Sequence, residues 1–243
     1  DEGHQGGRLR ARGGAGYTPG VIAAPAAVPF WSPDEVDASL RDSIAHLHEG
    51  GVLAYPTETV YGFGTAVDQE SVETLVRLKR RPPYKPFLLL VAGSEMIGRL
   101  GLHLTPAAAR LAAVHWPGPL TLVLPGGERR VPARLRGPEG GVAVRWTPHE
   151  GLTRLIRAYG EPITSTSANL PGVPPAASAR EVVEQWGPAI VRGTLRVLDA
   201  GRIPDSAPST VVDCTGRHAR VIRPGAIPAK VLRQTLPDLV GDS

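Results

Sequence analysis

Glycine and proline divide this chain into short segments, and this division constrains its fold more than any other sequence feature. The chain has 29 glycines and 25 prolines in 243 residues. One apolar run, Val52–Tyr55, ends at Pro56, and another, 87–91, lies between Pro86 and Gly93. Short apolar runs bounded by turn residues are typical of buried strands. The sequence therefore predicts many short strands joined by ordered turns.

Segments with helical spacing alternate with these strands. Ser32, Pro33 and Glu35 predict a helix start, because serine caps the helix, proline suits its first position and glutamate completes a capping box. Asp68 is predicted to cap a second helix over about 69–80. Further helices are predicted at 105–115, 149–159, 178–186 and 228–234, and further strands at 120–124, 142–145, 162–164, 210–213, 221–223 and near 197. Since several strands are adjacent without a helix between them, we predict a mixed α/β sheet with flanking helices.

The first part of the chain differs in composition from the rest. Residues 1–31 are rich in Gly, Ala, Pro and Arg and show no periodicity, so a disordered tail is predicted; a targeting segment is the less favoured interpretation. No linker is visible after residue 32. Residues 32–243 are therefore predicted to form one catalytic α/β domain.

Cysteine content and charge limit the class of protein. The single cysteine, Cys214, excludes a disulfide within the chain, which favours a reducing cytoplasm. No apolar run approaches the roughly 18 residues of a membrane span. The net charge of +4 favours anionic partners such as nucleotides or RNA.

A basic cluster, the segment 78–86, suggests one such anionic ligand. Two prolines at 82–83 are predicted to end the helix and a third at 86 to start a strand, and these turns hold Lys79, Arg81 and Lys85 at a sheet edge. Cations at a helix C-terminus complement the helix dipole and are often merely solvated, but cations fixed at a sheet edge also suit phosphate. No GxxxxGK[ST] or GxGxxG turn is present in the sequence. A nucleotide would therefore be bound mainly by side chains.

Two polar turns are predicted at the ends of strands. They are PTETVYG, residues 56–62, and STSAN, residues 165–169. Hydroxyl and backbone N–H groups in such turns bind phosphate or carboxylate, although ordinary polar turns also explain either segment alone. Glu58 is a candidate general base, whereas Ser167 lacks the GxSxG context of a nucleophile. Neither an HExxH motif nor a cysteine pair indicates a structural zinc site.

Taken in order, these motifs resemble the YrdC-like family of L-threonylcarbamoyladenylate synthases. Each piece is weak alone, but seven pieces in the same order are highly specific. The resemblance covers roughly residues 36–227 and rests on GGVLAYPTETVYGFG, LKRRPPYKPFLLLV, WPGPLTLVL, VAVR, PITSTSANLPG, STVVD and VIRPGAI.

The resemblance implies a fold, a reaction and partners. The fold is a YrdC-like twisted, open mixed sheet with flanking helices and a basic concave face. The reaction is that of a nucleotidyltransferase, which joins L-threonine, bicarbonate or CO2, and ATP carrying Mg²⁺ into threonylcarbamoyl-AMP and pyrophosphate. A tRNA-modifying transferase complex then uses the product, and the basic face is a candidate surface for tRNA or double-stranded RNA. Since the sequence ends at Ser243, the short single-domain form is expected.

The resemblance also implies roles for individual residues. Lys79 and Arg81 match a Lys-x-Arg pair at the nucleotide phosphates and are the expected catalytic cations. Lys85 falls where the family varies and is a further candidate. The positions matched at ATP are Lys79, Arg81, Ser167, Asn169 and Arg223. The positions matched at L-threonine are Thr57, Arg145, Ser165 and Ser209.

The sequence departs from the family pattern at two further positions, and three alternatives to the synthase function remain open. Gly141 and Pro175 stand where the family commonly has hydroxyl residues, so a nucleotide contact is expected to be lost or made by the backbone. The alternatives are an RNA-binding module without catalysis, a related carbamoyltransferase and a paralogue without synthase activity. Arg77 and Arg80 are interpreted as helix-end charges.

Overall fold

The computed structural model describes residues 26–82 and 85–241, which form seven α-helices, ten strands and one 3-10 turn at Ala133–Leu135. The helices are α1 (Pro33–His48), α2 (Gln69–Lys79), α3 (Glu95–Arg99), α4 (Pro106–His115), α5 (Glu150–Tyr159), α6 (Ala179–Val191) and α7 (Ala229–Thr235). The strands are β1 (Val28–Pro29), β2 (Val52–Tyr55), β3 (Gly62–Gly64), β4 (Leu88–Leu90), β5 (Leu120–Leu124), β6 (Val142–Arg145), β7 (Ile163–Ser167), β8 (Leu195–Asp199), β9 (Thr210–Asp213) and β10 (Arg220–Arg223).

These strands form one open mixed sheet. Their order is β1-β8-β2-β3-β7-β4-β6-β5-β9-β10. The pairs β1/β8, β2/β8, β4/β6 and β5/β9 are parallel, and the other neighbours are antiparallel. A bulge interrupts the pairing of β10 with β9 between Val221 and Arg223. The open mixed sheet with flanking helices confirms the predicted fold class.

The predicted helix starts are confirmed by their caps. The Ser32 Oγ accepts a hydrogen bond from the Glu35 N–H (3.3 Å), and the Glu35 carboxylate accepts one from the Ser32 N–H (2.8 Å). The Asp68 carboxylate likewise accepts the Ser71 N–H (2.9 Å) at the start of α2. Each cap satisfies a donor that the first helical turn leaves free. Of the helices in the described ranges, none combines the length and apolar character that a membrane crossing needs.

Four elements differ from the prediction. Helix α6 continues past residue 186 to Val191, because its buried face continues with Ala189 beyond Pro188. Strand β7 runs to Ser167, so the first three residues of the predicted hydroxyl-rich turn are strand. Strand β3 was not predicted, since two of its three residues are glycine and give no strand pattern, and the five-residue α3 is too short to show periodicity.

Ordered structure begins earlier than the predicted boundary at residue 31/32. Strand β1 pairs with β8 through Val28↔Leu198 and Pro29↔Asp199. Phe30 is fully buried, and its backbone N–H donates to the Asp199 carbonyl (2.7 Å). Two extended residues and one aromatic ring carry too little pattern to be recognised as a strand. The part of the predicted tail at 1–25 lies outside the described residues.

The two faces of the sheet have different side chains. Because side chains alternate along a strand, one set of positions packs into the core and the set between them faces the other way. The core set in the central strands is fully buried and apolar, and comprises Leu89, Leu122, Val144 and Val212. The intervening set includes polar residues, among them Thr121 and Arg145, and the functional site lies on that face.

Close packing explains the glycines of β3. Both glycines, Gly62 and Gly64, lie within the strand. A Cβ on Gly64 would clash with the Thr164 carbonyl oxygen and approach the Tyr55 Oη at 2.7 Å. Glycine is therefore required because two neighbouring strands leave no room for a side chain.

We expect Gly64→Ala to lower the free energy of unfolding by roughly 1–3 kcal/mol, because the new methyl group meets backbone that cannot move independently. Urea denaturation measures this change. Gly187→Ala is the matched control, since Gly187 lies inside α6 with nothing within 4 Å of the added Cβ. That control should be neutral or stabilising by up to about 1 kcal/mol. Equal effects of the two substitutions would contradict the packing argument.

Candidate functional site

A cavity of about 700 Å³ opens on the polar face of the sheet. Strand register explains its lining, because Arg145 of β6, Thr121 of β5, Val211 of β9 and Arg223 of β10 are successive partners across four strands. Ser165 of β7 extends the same face and also lines the cavity. Three arginines contribute to the lining, namely Arg81, Arg145 and Arg223, and we call this space the arginine cavity.

Arg81 is held rigidly at one side of the arginine cavity. Helix α2 ends at Arg80 in a left-handed conformation (φ 50°), which directs the next residue toward the sheet. The Arg81 guanidinium donates to the carbonyls of Lys85 (3.0 Å) and Pro86 (2.9 Å) and to the Thr166 Oγ1 (3.2 Å). These acceptors carry no net charge, so the Arg81 charge is not neutralised by its contacts.

Lys79 lies beneath the end of β7 and does not line the arginine cavity. Its Nζ donates to the carbonyls of Ser167 (2.6 Å) and Asn169 (2.5 Å) and to the Asn169 Oδ1 (2.8 Å). The Ser167 hydroxyl donates to the same Oδ1 (2.6 Å), and the Asn169 amide donates to the Val173 carbonyl (2.6 Å). Three acceptors use all three ammonium donors. The structure thus brings Lys79, Ser167 and Asn169 together as one network.

Burial changes the protonation of this lysine. Lys79 is only 3% exposed. Desolvation lowers the pKa of Lys79 to about 7, and the nearby Arg81 charge acts in the same direction. The ammonium that fits its three oxygen acceptors is therefore close to losing a proton at neutral pH.

Arg145 lies at the floor of the arginine cavity and is 5% exposed. One Nη forms a short ion pair with the Glu58 carboxylate, and the other Nη donates to the Thr59 Oγ1 (3.4 Å). The Thr147 hydroxyl donates to the second Glu58 oxygen (2.7 Å). The Arg145 Nε is buried without a hydrogen-bond partner.

Arg223 and Ser209 form the far side of the arginine cavity. The Arg223 guanidinium donates to the Ser209 carbonyl (2.7 Å) and Oγ (3.0 Å), and the Ser209 Oγ is 2.8 Å from the Thr121 Oγ1. Partial burial lowers the pKa of Arg223, and the charge of Arg145 adds to that effect. Burial lowers the pKa of Arg81 as well, with Arg134 contributing. Arginines that lie close together in one cavity repel each other, and an anionic ligand would reduce that repulsion.

The predicted hydroxyl residues occupy different positions in the site. Thr57 lines the arginine cavity, but its Oγ1 donates to the Val60 carbonyl (2.7 Å) and accepts the Thr59 and Val60 N–H groups, so it also shapes its own turn. Ser165 lines the cavity from within β7. Ser167 lines it as well, whereas Asn169 is not part of the lining.

The remaining candidates lie outside the site or at its rim. Lys85 is exposed and its backbone holds Arg81, but it is absent from the cavity lining. A Cβ on Gly141 would crowd Val123 at 2.6 Å, so packing explains this glycine. Pro175 lines the cavity at its rim. Burial raises the pKa of the Cys214 thiol to about 12, which makes that thiol a poor nucleophile.

Sequence reasoning missed several residues of the arginine cavity. Thr121 was predicted only as part of a strand, although its position between Leu120 and Leu122 signals the opposite face. Thr59 and Thr166 also line the cavity; they lie in the two predicted polar turns, but no role was predicted for either. Ser206 lines it without a distinctive sequence signal. Within the described ranges, the structure shows no cluster of three or more His, Cys, Asp or Glu side chains positioned to hold a metal ion.

The sequence of this chain is similar to a known family and to named proteins. A family model named Sua5/YciO/YrdC, with the description "Telomere recombination", matches residues 45–225. A threonylcarbamoyl-AMP synthase of Pyrococcus abyssi is 35% identical over 201 residues, which cover 82% of this chain and 58% of that relative. A threonylcarbamoyl-AMP synthase of Vibrio parahaemolyticus is 37% identical over 184 residues, covering 74% of this chain and 95% of the relative.

A solved structure is also similar over most of the chain. The crystal structure of Pyrococcus abyssi Sua5 complexed with L-threonine has a TM-score of 0.78 at 31% identity, and the match covers 88% of this chain and 62% of that one. The chain thus spans less than two thirds of the Pyrococcus proteins that it matches.

The buried Lys79 should make stability depend on pH. Its pKa is about 7 in the folded protein against an ordinary value of 10.5 for lysine, so the unfolded chain binds more protons between these values. The free energy of unfolding of the wild type, relative to Lys79→Met, should therefore rise with pH by roughly 1 kcal/mol per unit from pH 7.5 to 9.5. Urea denaturation across this range measures it. Lys230→Met, at an exposed lysine of α7, is the control and should leave the slope unchanged.

Proposed function

Because the chain belongs to the Sua5/YciO/YrdC family, we propose that it is an L-threonylcarbamoyladenylate synthase. The proposed reaction converts L-threonine, bicarbonate or CO2, and ATP to threonylcarbamoyl-AMP and pyrophosphate. The observation that carries the proposal is the arginine cavity, in which three guanidinium groups and several hydroxyls share about 700 Å³. A volume of this size suits a nucleotide-sized ligand, and the charges suit its phosphates.

Arg81 and Arg223 are the proposed cations at the nucleotide. Both line the arginine cavity, and both are oriented by neutral oxygens, so their charges are available to a triphosphate. The Ser167 hydroxyl also lines the cavity and is a candidate contact for the nucleotide. Guanidinium groups fixed before the substrate arrives stabilise charge that develops on the phosphates without reorganising.

Lys79 has a different role in this proposal. Its three donors are bound to Ser167 and Asn169, so Lys79 is proposed to position the end of β7 and to add positive charge from below the cavity. Asn169 acts in the same way, because its side chain joins Lys79 to the Ser167 hydroxyl. Both residues then act on the nucleotide through Ser167.

The amino acid is proposed to bind at the floor of the cavity. The Arg145 guanidinium can form a paired hydrogen bond with the threonine carboxylate. Thr57, Ser165 and Ser209 also line the cavity and provide hydroxyl groups for the remaining polar atoms. Since Ser209 accepts a hydrogen bond from Arg223, the proposed amino-acid and phosphate sites adjoin each other within one cavity.

The proposed chemistry requires no nucleophile from the chain. The threonine nitrogen attacks the carbon of CO2 and loses a proton, which gives a carbamate. A carbamate oxygen then attacks the α-phosphorus of ATP, and the bond from that phosphorus to the bridging oxygen breaks to release pyrophosphate. Holding three reactants in one cavity and neutralising the leaving charge are the main catalytic contributions expected of the protein.

We also propose a metal ion, a partner and a cellular compartment for this enzyme. Mg²⁺ is expected to enter with ATP, since hard divalent cations bind nucleotide phosphates with few protein ligands. The product is proposed to pass to a tRNA-modifying transferase complex, and the positive charge near the cavity suits contact with tRNA. The buried, unpaired thiol of Cys214 fits a reducing cytoplasm.

We expect pyrophosphate release that depends on ATP, L-threonine and bicarbonate together. Arg81→Ala should lower kcat/KM for this release by roughly 100- to 1,000-fold, because a preorganised phosphate contact is lost. A coupled pyrophosphate assay with each substrate omitted in turn measures both effects. The assignment fails if the complete mixture releases no more pyrophosphate than the mixture without threonine.

Arg77→Ala is the matched control for this experiment. Arg77 precedes Arg81 by one helical turn, is exposed, and donates to the Thr74 Oγ1 (3.0 Å) on the surface of α2. Its removal changes the net charge by the same amount but leaves the cavity intact. Activity should stay within about twofold of the wild type. A loss as large as that of Arg81→Ala would indicate a general charge effect.

A further inference from the structure

Glu58 contacts the cation proposed to bind the substrate carboxylate. Of the three arginines that line the arginine cavity, only Arg145 forms an ion pair within the described part of the chain, and its partner is Glu58. The Glu58 carboxylate also accepts the Thr147 hydroxyl (2.7 Å), and its backbone carbonyl accepts the Ser206 hydroxyl (3.3 Å). The carboxylate is thus fixed by contacts from two sides.

Glu58 contacts the guanidinium that a ligand carboxylate would need. Its side chain comes from the turn between β2 and β3 and is 22% exposed, while the Arg145 side chain is 6% exposed. Glu58 is not itself a lining residue, but its neighbours Thr57 and Thr59 are, so the pair joins a partly exposed residue beside the cavity to a buried residue at its floor. A ligand carboxylate that approached Arg145 from the cavity would meet the Glu58 carboxylate on the same guanidinium.

The burial of Arg145 explains why its guanidinium needs a carboxylate beside it when no ligand is bound. A guanidinium at the depth of Arg145 is strongly destabilising without an anion, because it has lost most of its hydration. Its Nε already lacks a partner in the structure. Glu58 supplies the missing charge.

We propose that Glu58 is a specificity-determining residue that competes, from within the chain, with the carboxylate of the amino-acid substrate for Arg145. This inference rests on the proposed function and extends it. Weak anions that bind only Arg145 are kept out, and an amino acid that also fills the surrounding hydroxyl sites displaces Glu58.

Competition by Glu58 would change the apparent affinities of ligands in a characteristic way. The apparent affinity of every ligand that needs Arg145 is reduced by the same factor, which is the fraction of molecules in which Arg145 is unpaired. Removing the competitor should therefore tighten the binding of different amino acids equally. A residue that touches the ligand directly would instead weaken binding when it is replaced, and by a different factor for each ligand.

The test is calorimetric titration of the full chain and of Glu58→Gln with L-threonine, with glycine and, separately, with ATP. We expect both amino acids to bind Glu58→Gln about tenfold more tightly or better, by the same factor, and ATP to change by much less. Glu184→Gln is the matched control, because it breaks the exposed ion pair with Arg180 on α6 and should change none of the three affinities.

Each result of this titration either supports or overturns the proposed competition by Glu58. Amino-acid binding that is unchanged or weaker in Glu58→Gln overturns it, as does an equal gain for ATP, which would indicate a general charge effect. If amino acids bind tighter to the variant but no pyrophosphate is released by the wild type, the competition stands and the proposed function fails. Absence of amino-acid binding in both proteins overturns both. Should Glu58→Gln fail to fold, Thr147→Val, which removes the hydroxyl that holds the Glu58 carboxylate, is expected to give a smaller gain of the same kind for both amino acids.

Discussion

The site depends on cations that neutral oxygens hold in place. Arg81 and Arg223 each bind backbone carbonyls, which fix the direction of the side chain without cancelling its charge. Carbonyls hold Lys79 as well, although burial lowers its pKa to about 7. A carboxylate in the same place would have oriented each group equally well and cancelled its charge. Carbonyl groups at the end of β7, before β4 and just before β9 therefore determine that the cavity attracts anions. Arg145 is the exception, and its burial is the reason that it needs a true counter-ion.

Sheet register, more than sequence proximity, assembles this site. Arg145 and Arg223 are 78 positions apart in the sequence, yet they face the same cavity because β6, β5, β9 and β10 are successive neighbours. A shift of one residue in any of these pairings would place the arginine in the apolar core and a valine or leucine in the cavity. The buried Leu122, Val144 and Val212 on the opposite face prevent that shift, so the core fixes the geometry of the polar site.

Local signals predicted much of this structure and little of its long-range contacts. Capping boxes and short apolar runs located α1, α2, β5, β6 and β9 because their causes lie within a few residues. The motif order identified the family, and Arg81, Arg145 and Arg223 do line one cavity. The pairing of Glu58 with Arg145 joins residues 87 positions apart, and the saturation of Lys79 by the end of β7 joins residues about 90 apart. Neither follows from spacing along the chain, because each depends on strand order.

Both edges of the open sheet have features that discourage intermolecular pairing. At one edge, β1 is two residues long and ends in Pro29, which has no N–H to offer a neighbouring chain. At the other edge, β10 has the bulge next to Arg223 and a second arginine, Arg220, at its start. Short length, proline, bulges and charge are the devices that keep exposed edges from recruiting further strands. The ten-stranded sheet of the described residues therefore offers little free backbone at either edge to a strand of another chain.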